Sequence, residues 1–251
     1  MVFQPKVEIL PAAQRELWPL LSEVPQDFVL YGGTAVALWF GHRTSVDFDF
    51  FSTTKDLFVS KTTDKLSFVK KFKVVKGCRD DEHHGSQVNY GLKMPQGLVV
   101  NLSFIRHEKL IAGSFMAPSI ACDTKIKVAS PFDLMAAKIN ALKERRSAKD
   151  FIDISTLIEN GVSLNMGFAA AMILKQEAIH EEIQSYKDIA EKITYPEFIE
   201  SVFEKDLYVM EEEKNMLNFV IKNITLEAKK IDIDKLRLIS LKTTAKLTHE
   251  E

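Results

Sequence analysis

Two aspartates, Asp47 and Asp49, stand two positions apart in the run Val46-Asp47-Phe48-Asp49-Phe50. Side chains at i and i+2 of a strand share a face. The two carboxylates should therefore project together, with Val46, Phe48 and Phe50 pointing the other way into a core. Adjacent ionised carboxylates repel each other, and a strand tolerates them best with a cation between them. Hard ions such as Mg²⁺, with Mn²⁺ as the alternative, take carboxylate oxygens. Upstream, Phe28-Val29-Leu30-Tyr31 reads as a short apolar strand that ends at Gly32-Gly33. The glycine pair opens a helix of about two turns. Without Cβ atoms its backbone can approach a ligand closely, and a helix N-terminus favours a phosphate. A phosphate cradle, a helix and then a metal-binding carboxylate pair form the layout needed for phosphoryl chemistry on a nucleoside triphosphate. Thr34 either caps the helix or joins the cradle, and the sequence leaves both readings open.

The elements that must position these residues follow from periodicity. Pro11 to Val24 reads as a helix with Leu17, Leu20 and Leu21 on one face and Trp18 beside them. Lys55 to Lys71 reads as one or two lysine-rich helices. From Phe72 to Lys127 the period changes to two, predicting strands at Phe72–Val75, Gln87–Leu92, Leu98–Phe104 and Ile120–Val128. Met94-Pro95-Gln96-Gly97 is a turn between two of them. Beyond Ser130 the character is almost wholly helical. Ser130-Pro131-Phe132-Asp133 and Ser147-Ala148-Lys149-Asp150 both read as helix starts. Asn160-Gly161 closes the second of these helices. Further helices are predicted near Leu164–Gln176, Ala178–Lys192, Pro196–Glu204, Glu211–Lys229 and Ile233–Lys246. The expected fold class is α+β: an α/β domain with a mixed sheet over residues 1–129, then a mainly helical domain over 130–251 that completes the cleft.

The helical half carries one further chemical signal. Leu134, Lys138 and Leu142 are four apart and share a helix face. A lysine on an apolar stripe snorkels out or meets an anion, and beside a triphosphate it would act as an electrostatic clamp. Asp150 is either a functional carboxylate or the third residue of a capping box begun by Ser147. Asp80-Asp81-Glu82-His83-His84 has metal-ligand residue types, but their contiguity suits a solvated loop.

Composition sets the outer limits. At 251 residues and 46% hydrophobic, the chain can bury one large core or two ordinary ones. A formal charge of -2 gives no global bias toward nucleic acid. Locally, Thr54 to Arg79 holds eight Lys/Arg against two Asp, a net +6 that suits a polyanion. Gln176 to Lys214 holds twelve Asp/Glu against four Lys, a net -8 that reads as solvated helix faces. Cys78 and Cys122 offer neither a disulfide framework nor a paired zinc motif. With no signal-peptide pattern and no membrane-length apolar run, a reduced cytoplasmic setting is expected.

The pattern of an apolar residue, Gly32-Gly33, a gap of thirteen residues and the alternating Asp47/Asp49 pair resembles the polymerase-β-like nucleotidyltransferase superfamily. Its extended form, Gly32-Gly33-Thr34-Ala35 through Arg43, Ser45, Asp47, Asp49 and Phe51-Ser52, more narrowly resembles the AbiEii/AbiGii toxin family, close to the MenT-type toxins. Lys138, Leu142, Arg145/Arg146 and Lys149-Asp150-Phe151-Ile152-Asp153 resemble that family's second block. The resemblance implies Mg²⁺-dependent transfer of a nucleoside monophosphate from an NTP. Asp47 and Asp49 would hold the metal, and Asp150 is implied as a further catalytic residue. Gly32, Gly33 and Thr34 would meet the phosphates. Arg43, Ser45 and Lys138 would contact the nucleotide, with Arg43 and Lys138 offsetting charge on the leaving pyrophosphate. It also implies a toxin or phage-defence role, tRNA or another RNA as acceptor, and a separate antitoxin as partner. One position departs from the pattern. Two-metal transfer normally uses a third carboxylate on a neighbouring strand, and the natural slot, Val100-Asn101-Leu102, holds Asn101. A catalytically silent nucleotide-binding or antitoxin-binding module on the same fold is the alternative that this departure keeps open.

Overall fold

The structure, a computed structural model, describes residues 2–54, 57–80, 86–106, 116–173, 179–206 and 211–236. The chain divides into two compact units, Met1–Ser130 and Pro131–Glu251. In the first, β1 (Val2–Phe3), α1 (Ala12–Leu17), β2 (Val29–Tyr31), α2 (Gly32–Phe40) and β3 (Asp47–Ser52) lead into two short helices, α3 (Val59–Thr63) and α4 (Ser67–Lys71). Strands β4 (Lys73–Asp80), β5 (Gln87–Lys93), β6 (Val99–Arg106), β7 (Ser119–Ala121) and β8 (Lys127–Val128) complete it. The described strands form one mixed sheet in the order β1-β7-β8-β2-β3-β6-β5-β4. Its centre pairs β2 antiparallel and β6 parallel with β3.

Strand β3 obeys the alternation in its sequence: Phe48, Phe50 and Ser52 are buried while Asp47, Asp49 and Phe51 are half-buried. Phe50 stacks on Phe104 of β6 at 5.1 Å between centroids, and Phe28 meets the same ring edge-on at 5.2 Å. This aromatic core holds the strand carrying the carboxylates from its far side. Val46 departs from the expectation. It lies in the turn before β3 and is 55% exposed, so it adds nothing to that core. Helix α2 is buried from Thr34 to Leu38. It stops at Gly41, whose φ of 67° and N–H to Ala37 O (2.7 Å) make a left-handed C-terminal cap.

Two predicted elements are broken up. Pro11 to Val24 is not one helix: α1 ends at Leu17 and Trp18–Glu23 continues as a 3₁₀ stretch. Pro19, with no N–H to donate, sits at its start. Ile120–Val128 is not one strand either. β7 and β8 pair antiparallel around a turn in which Lys125 adopts φ 63°. The predicted turn at Met94–Gly97 is present, with Gly97 N–H bonded to Met94 O at 2.8 Å and φ 86° at the glycine.

The second unit comprises α5 (Pro131–Glu144), α6 (Ala148–Glu159), α7 (Leu164–Ile173), α8 (Ile179–Lys192), α9 (Pro196–Asp206) and α10 (Glu211–Ala228). Helix α7 is buried on nearly every face. It approaches α5 closely at Gly167, where a Cβ would overlap Met135 and come within 2.9 Å of Ile139. The apolar stripe predicted on α5 is real: Leu134, Met135, Ile139 and Leu142 are buried. Ser147 stands at the N-cap of α6, but its side chain makes no capping bond. Asp206 of α9 accepts the Ala148 N–H at 2.7 Å instead. The capping-box reading of Asp150 is thereby corrected, because a carboxylate from another helix has taken the role. Of the predicted helix Ile233–Lys246, the residues after Leu236 lie outside the described residues, as do residues 81–84 of the acidic and histidine cluster.

Candidate active site

Within the first unit, the glycine pair, the turn after α2 and the start of β3 come together. Gly32 opens α2 with φ 76°, and a Cβ there would lie 2.6 Å from Asp49 Oδ2. Both the backbone conformation and the carboxylate therefore require glycine. A Cβ on Gly33 would lie 2.5 Å from Arg43 Nη2 and 3.1 Å from Ser45 Oγ. The space a side chain would fill is thus occupied by the Arg43 guanidinium, which also donates from Nη1 to Thr44 O at 3.0 Å. Arg43 and Ser45, in the short connection between α2 and β3, reach back to Gly33 at the start of α2.

Thr34 is fully buried, and its hydroxyl donates to the backbone O of Asp47. No side chain caps α2. Thr34 therefore ties the helix start to the strand through its side chain. Asp49 sits opposite Tyr31 in the β2–β3 pair. In the parallel pairing with β6, Asp47 lies opposite Asn101 and Asp49 opposite Ser103. Asn101 Nδ2 donates to Asp47 Oδ1 at 3.0 Å, which places the amide on the carboxylate face. Val100 and Leu102 on either side of it are buried. Ser103, opposite Asp49, shares the alternation of Asn101, and the continued apolar-polar-apolar spacing of Leu102-Ser103-Phe104 is its signal in the sequence.

The donor set suits a hard divalent ion. Two carboxylates share a strand face beside an amide, and the space around Gly32 that a Cβ would fill is given to Asp49. Mg²⁺ is ordinarily held by one or two carboxylates, with substrate phosphates and water at its other positions. Among the described residues no group of three or more His, Cys, Asp or Glu could hold a metal alone.

The helical unit holds a second charged group. Lys138 is 6% exposed on the α5 stripe, and its Nζ lies 2.7 Å from Asp150 Oδ1 and 2.6 Å from Asp153 Oδ2. Asp150 and Asp153 are themselves buried. Arg145 Nε reaches Asp150 Oδ2 at 3.2 Å from a side chain that is 70% exposed. The lysine therefore does not snorkel: it meets two anions, both supplied by α6. The i+3 spacing of Asp150 and Asp153 sets both acids on one face of α6.

Residues 20–232 match the model of the family described as nucleotidyl transferase AbiEii toxin, type IV toxin–antitoxin system. The chain belongs to the AbiEii nucleotidyltransferase toxin family. An uncharacterised protein of Aquifex aeolicus (strain VF5) is 30% identical over 132 residues, which span 51% of this chain and 56% of that protein. The chain thus aligns with little more than half the length of this curated relative. Among solved structures, the fold is similar to MenT4, a nucleotidyltransferase toxin of Mycobacterium tuberculosis H37Rv. The TM-score is 0.54 at 14% identity, covering 90% of this chain and 84% of that one. It is also similar to an H. pylori protein assigned as a nucleotidyltransferase, with a TM-score of 0.52 at 15% identity, covering 90% of this chain and 96% of that one. At such identities the likeness is one of fold. It agrees with the α+β class and the mixed sheet.

Proposed function

We propose that the chain is a divalent-metal-dependent nucleotidyltransferase that moves a nucleoside monophosphate from an NTP to RNA, with tRNA as a candidate acceptor. In this reading it acts in the cytoplasm as a toxin or phage-defence component, opposed by a separately encoded antitoxin. The observation that carries the proposal is the convergence of Gly32, Gly33, Arg43 and Ser45 on the Asp47/Asp49 face. The family assignment supports the chemistry and the toxin role. No helix among the described residues is long and apolar enough to cross a membrane.

Asp47 and Asp49 would hold Mg²⁺ or Mn²⁺, which when bound would polarise the phosphate oxygens and offset their charge. The backbone N–H groups of Gly33 and Thr34 at the start of α2 meet the phosphates. Arg43 offers its guanidinium to the same oxygens, and Ser45 a hydroxyl. An acceptor hydroxyl oxygen then bonds to the α-phosphorus as the α–β bridging bond breaks. Pyrophosphate departs, and the hydroxyl proton passes to water. Arg43 stabilises the charge that grows on the leaving group. Lys138 and Asp150 are proposed to be needed for turnover through the cluster that fixes α5 against α6. The exposed lysines 61, 65, 70, 71 and 73 supply a surface suited to a polyanionic acceptor.

The test incubates the purified chain with each α-³²P-labelled NTP, Mg²⁺ and total RNA or protein. The expected result is label on RNA from one or more NTPs with the wild type and none with Asp47→Ala. Absence of label from every NTP with Mg²⁺ or Mn²⁺ would overturn the proposal. The neutral amide of Asn101 in the third-carboxylate slot favours one second reading, a silent module that binds a nucleotide or an antitoxin. That reading requires triphosphate or antitoxin binding with no transfer at all.

A further inference from the structure

We infer that Asn101 is a positioning residue for the metal site: it orients Asp47 and limits the nucleotide-free face to a single divalent ion. The inference rests on the metal-dependent reading above and goes beyond it. Three observations carry it. The parallel register sets Asn101 directly across from Asp47, and its partner on the other side, in β5, is Gly91. With no side chain on the β5 side, the amide leans toward the carboxylate. It donates from Nδ2 to Asp47 Oδ1 at 3.0 Å.

Chemistry fixes which end of the amide faces the acid. An ionised carboxylate only accepts, so the NH₂ end must be the one presented. The side-chain carbonyl, the part of the Asn101 side chain able to ligate a hard cation, is then turned from Asp47. Asn101 thus works through Asp47. Holding Oδ1 restricts the carboxylate rotor and leaves Oδ2 to face the metal. The charge follows from the same residue type. Asp47 and Asp49 together carry two negative charges, which one divalent ion balances. A carboxylate at position 101 would add a third charge against Asp47 and call for a second ion. Asn101 is exposed, so changing it leaves the buried aromatic core alone.

The experiment is a Mn²⁺ titration of the full chain without NTP or acceptor, reading free Mn²⁺ by electron paramagnetic resonance. Wild type, Asn101→Ala, Asn101→Asp and Asp49→Ala are compared, with folding checked by circular dichroism. Wild type should bind one Mn²⁺ per chain. Asn101→Ala should keep that stoichiometry and bind about 10-fold or more weakly, the usual effect of losing a partner that orients a ligand. Asn101→Asp should bind more tightly and reach two ions per chain. A residue needed only for folding would change the melting temperature and leave stoichiometry alone. If wild type binds Mn²⁺ and Asn101→Ala binds it equally well, or if Asn101→Asp stays at one ion, the inference fails while the metal-dependent reading stands. If wild type binds no Mn²⁺, or Asp49→Ala binds as wild type does, the metal assignment itself falls and takes the inference with it.

Discussion

The two charged groups of this molecule solve opposite problems. On β3, Asp47 and Asp49 stand half-exposed on one strand face, and the partner across from Asp47 is a neutral amide. Between α5 and α6, Asp150 and Asp153 are buried and share the ammonium of Lys138 at 2.7 and 2.6 Å. In the first group like charges are gathered where solvent and ligands can reach them. In the second, charges removed from water are matched with a cation inside the same unit. Burying an ion is costly unless it is paired and hydrogen-bonded. The helical cluster therefore depends on its own completeness, whereas the strand pair keeps its charge at a half-exposed face.

The comparison is broken most sharply by removing one charge from each group. Asp47→Ala or Asp49→Ala should abolish nucleotidyl transfer while leaving unfolding free energy within about 0.5 kcal/mol of wild type, since each acid is only half-buried. Radiolabel transfer and urea denaturation check this pair of outcomes. A variant with near-full activity would show that the strand acids do not carry the chemistry.

Lys138→Met should behave in the reverse way. On the apolar stripe alone, methionine would be neutral or stabilising. With two buried carboxylates deprived of the ammonium they share, it should instead destabilise by about 3–5 kcal/mol. That is a large part of a domain's typical stability of about 5–15 kcal/mol. Adding Asp150→Asn and Asp153→Asn to Lys138→Met should recover most of the loss, because neutral groups then replace the buried charges. If Lys138→Met unfolds at the wild-type urea concentration, the buried cluster is not holding α5 against α6.

Gly33→Val sharpens the description of the phosphate cradle. The new side chain must displace the Arg43 guanidinium, whose Nη2 would stand 2.5 Å from the added Cβ. Losing one charge-assisted contact should weaken NTP binding about tenfold or more. Calorimetry showing unchanged affinity would reduce the glycine pair to a turn. The smallest effect is expected at Arg145→Ala. Its side chain is 70% exposed, so its bond to Asp150 should contribute less than about 1 kcal/mol. A larger loss would mean that Arg145 belongs to the buried cluster rather than to its rim.

Local chemistry made the first group legible in the sequence. The alternation of Asp47, Phe48, Asp49 and Phe50 survives folding because strand period and burial agree, and Gly32 is needed at a positive φ whatever surrounds it. Val46 misled because alternation alone does not say where a strand begins. Asn101 could be found from its apolar neighbours, but its bond to Asp47 spans 54 positions and depends on parallel register. The second group was half-legible. Spacing put Lys138 on the apolar stripe, yet its partners lie on the next helix, and nothing within α5 names them. Likewise Ser147 looks like a cap until Asp206, 58 positions away, takes the Ala148 N–H. Contacts within one turn of helix or one strand pair can be read from spacing. Contacts set by the packing of one helix on another cannot.

The central claim is that the Asp47/Asp49 face binds a triphosphate through a divalent ion. Equilibrium titration with a non-hydrolysable NTP analogue tests it most directly, run in Mg²⁺ and again in EDTA for wild type, Asp47→Ala and Asp49→Ala. The account predicts binding by wild type in Mg²⁺, loss of that binding in EDTA, and comparable loss in Mg²⁺ for both variants. Triphosphate binding that survives EDTA and both substitutions would contradict it.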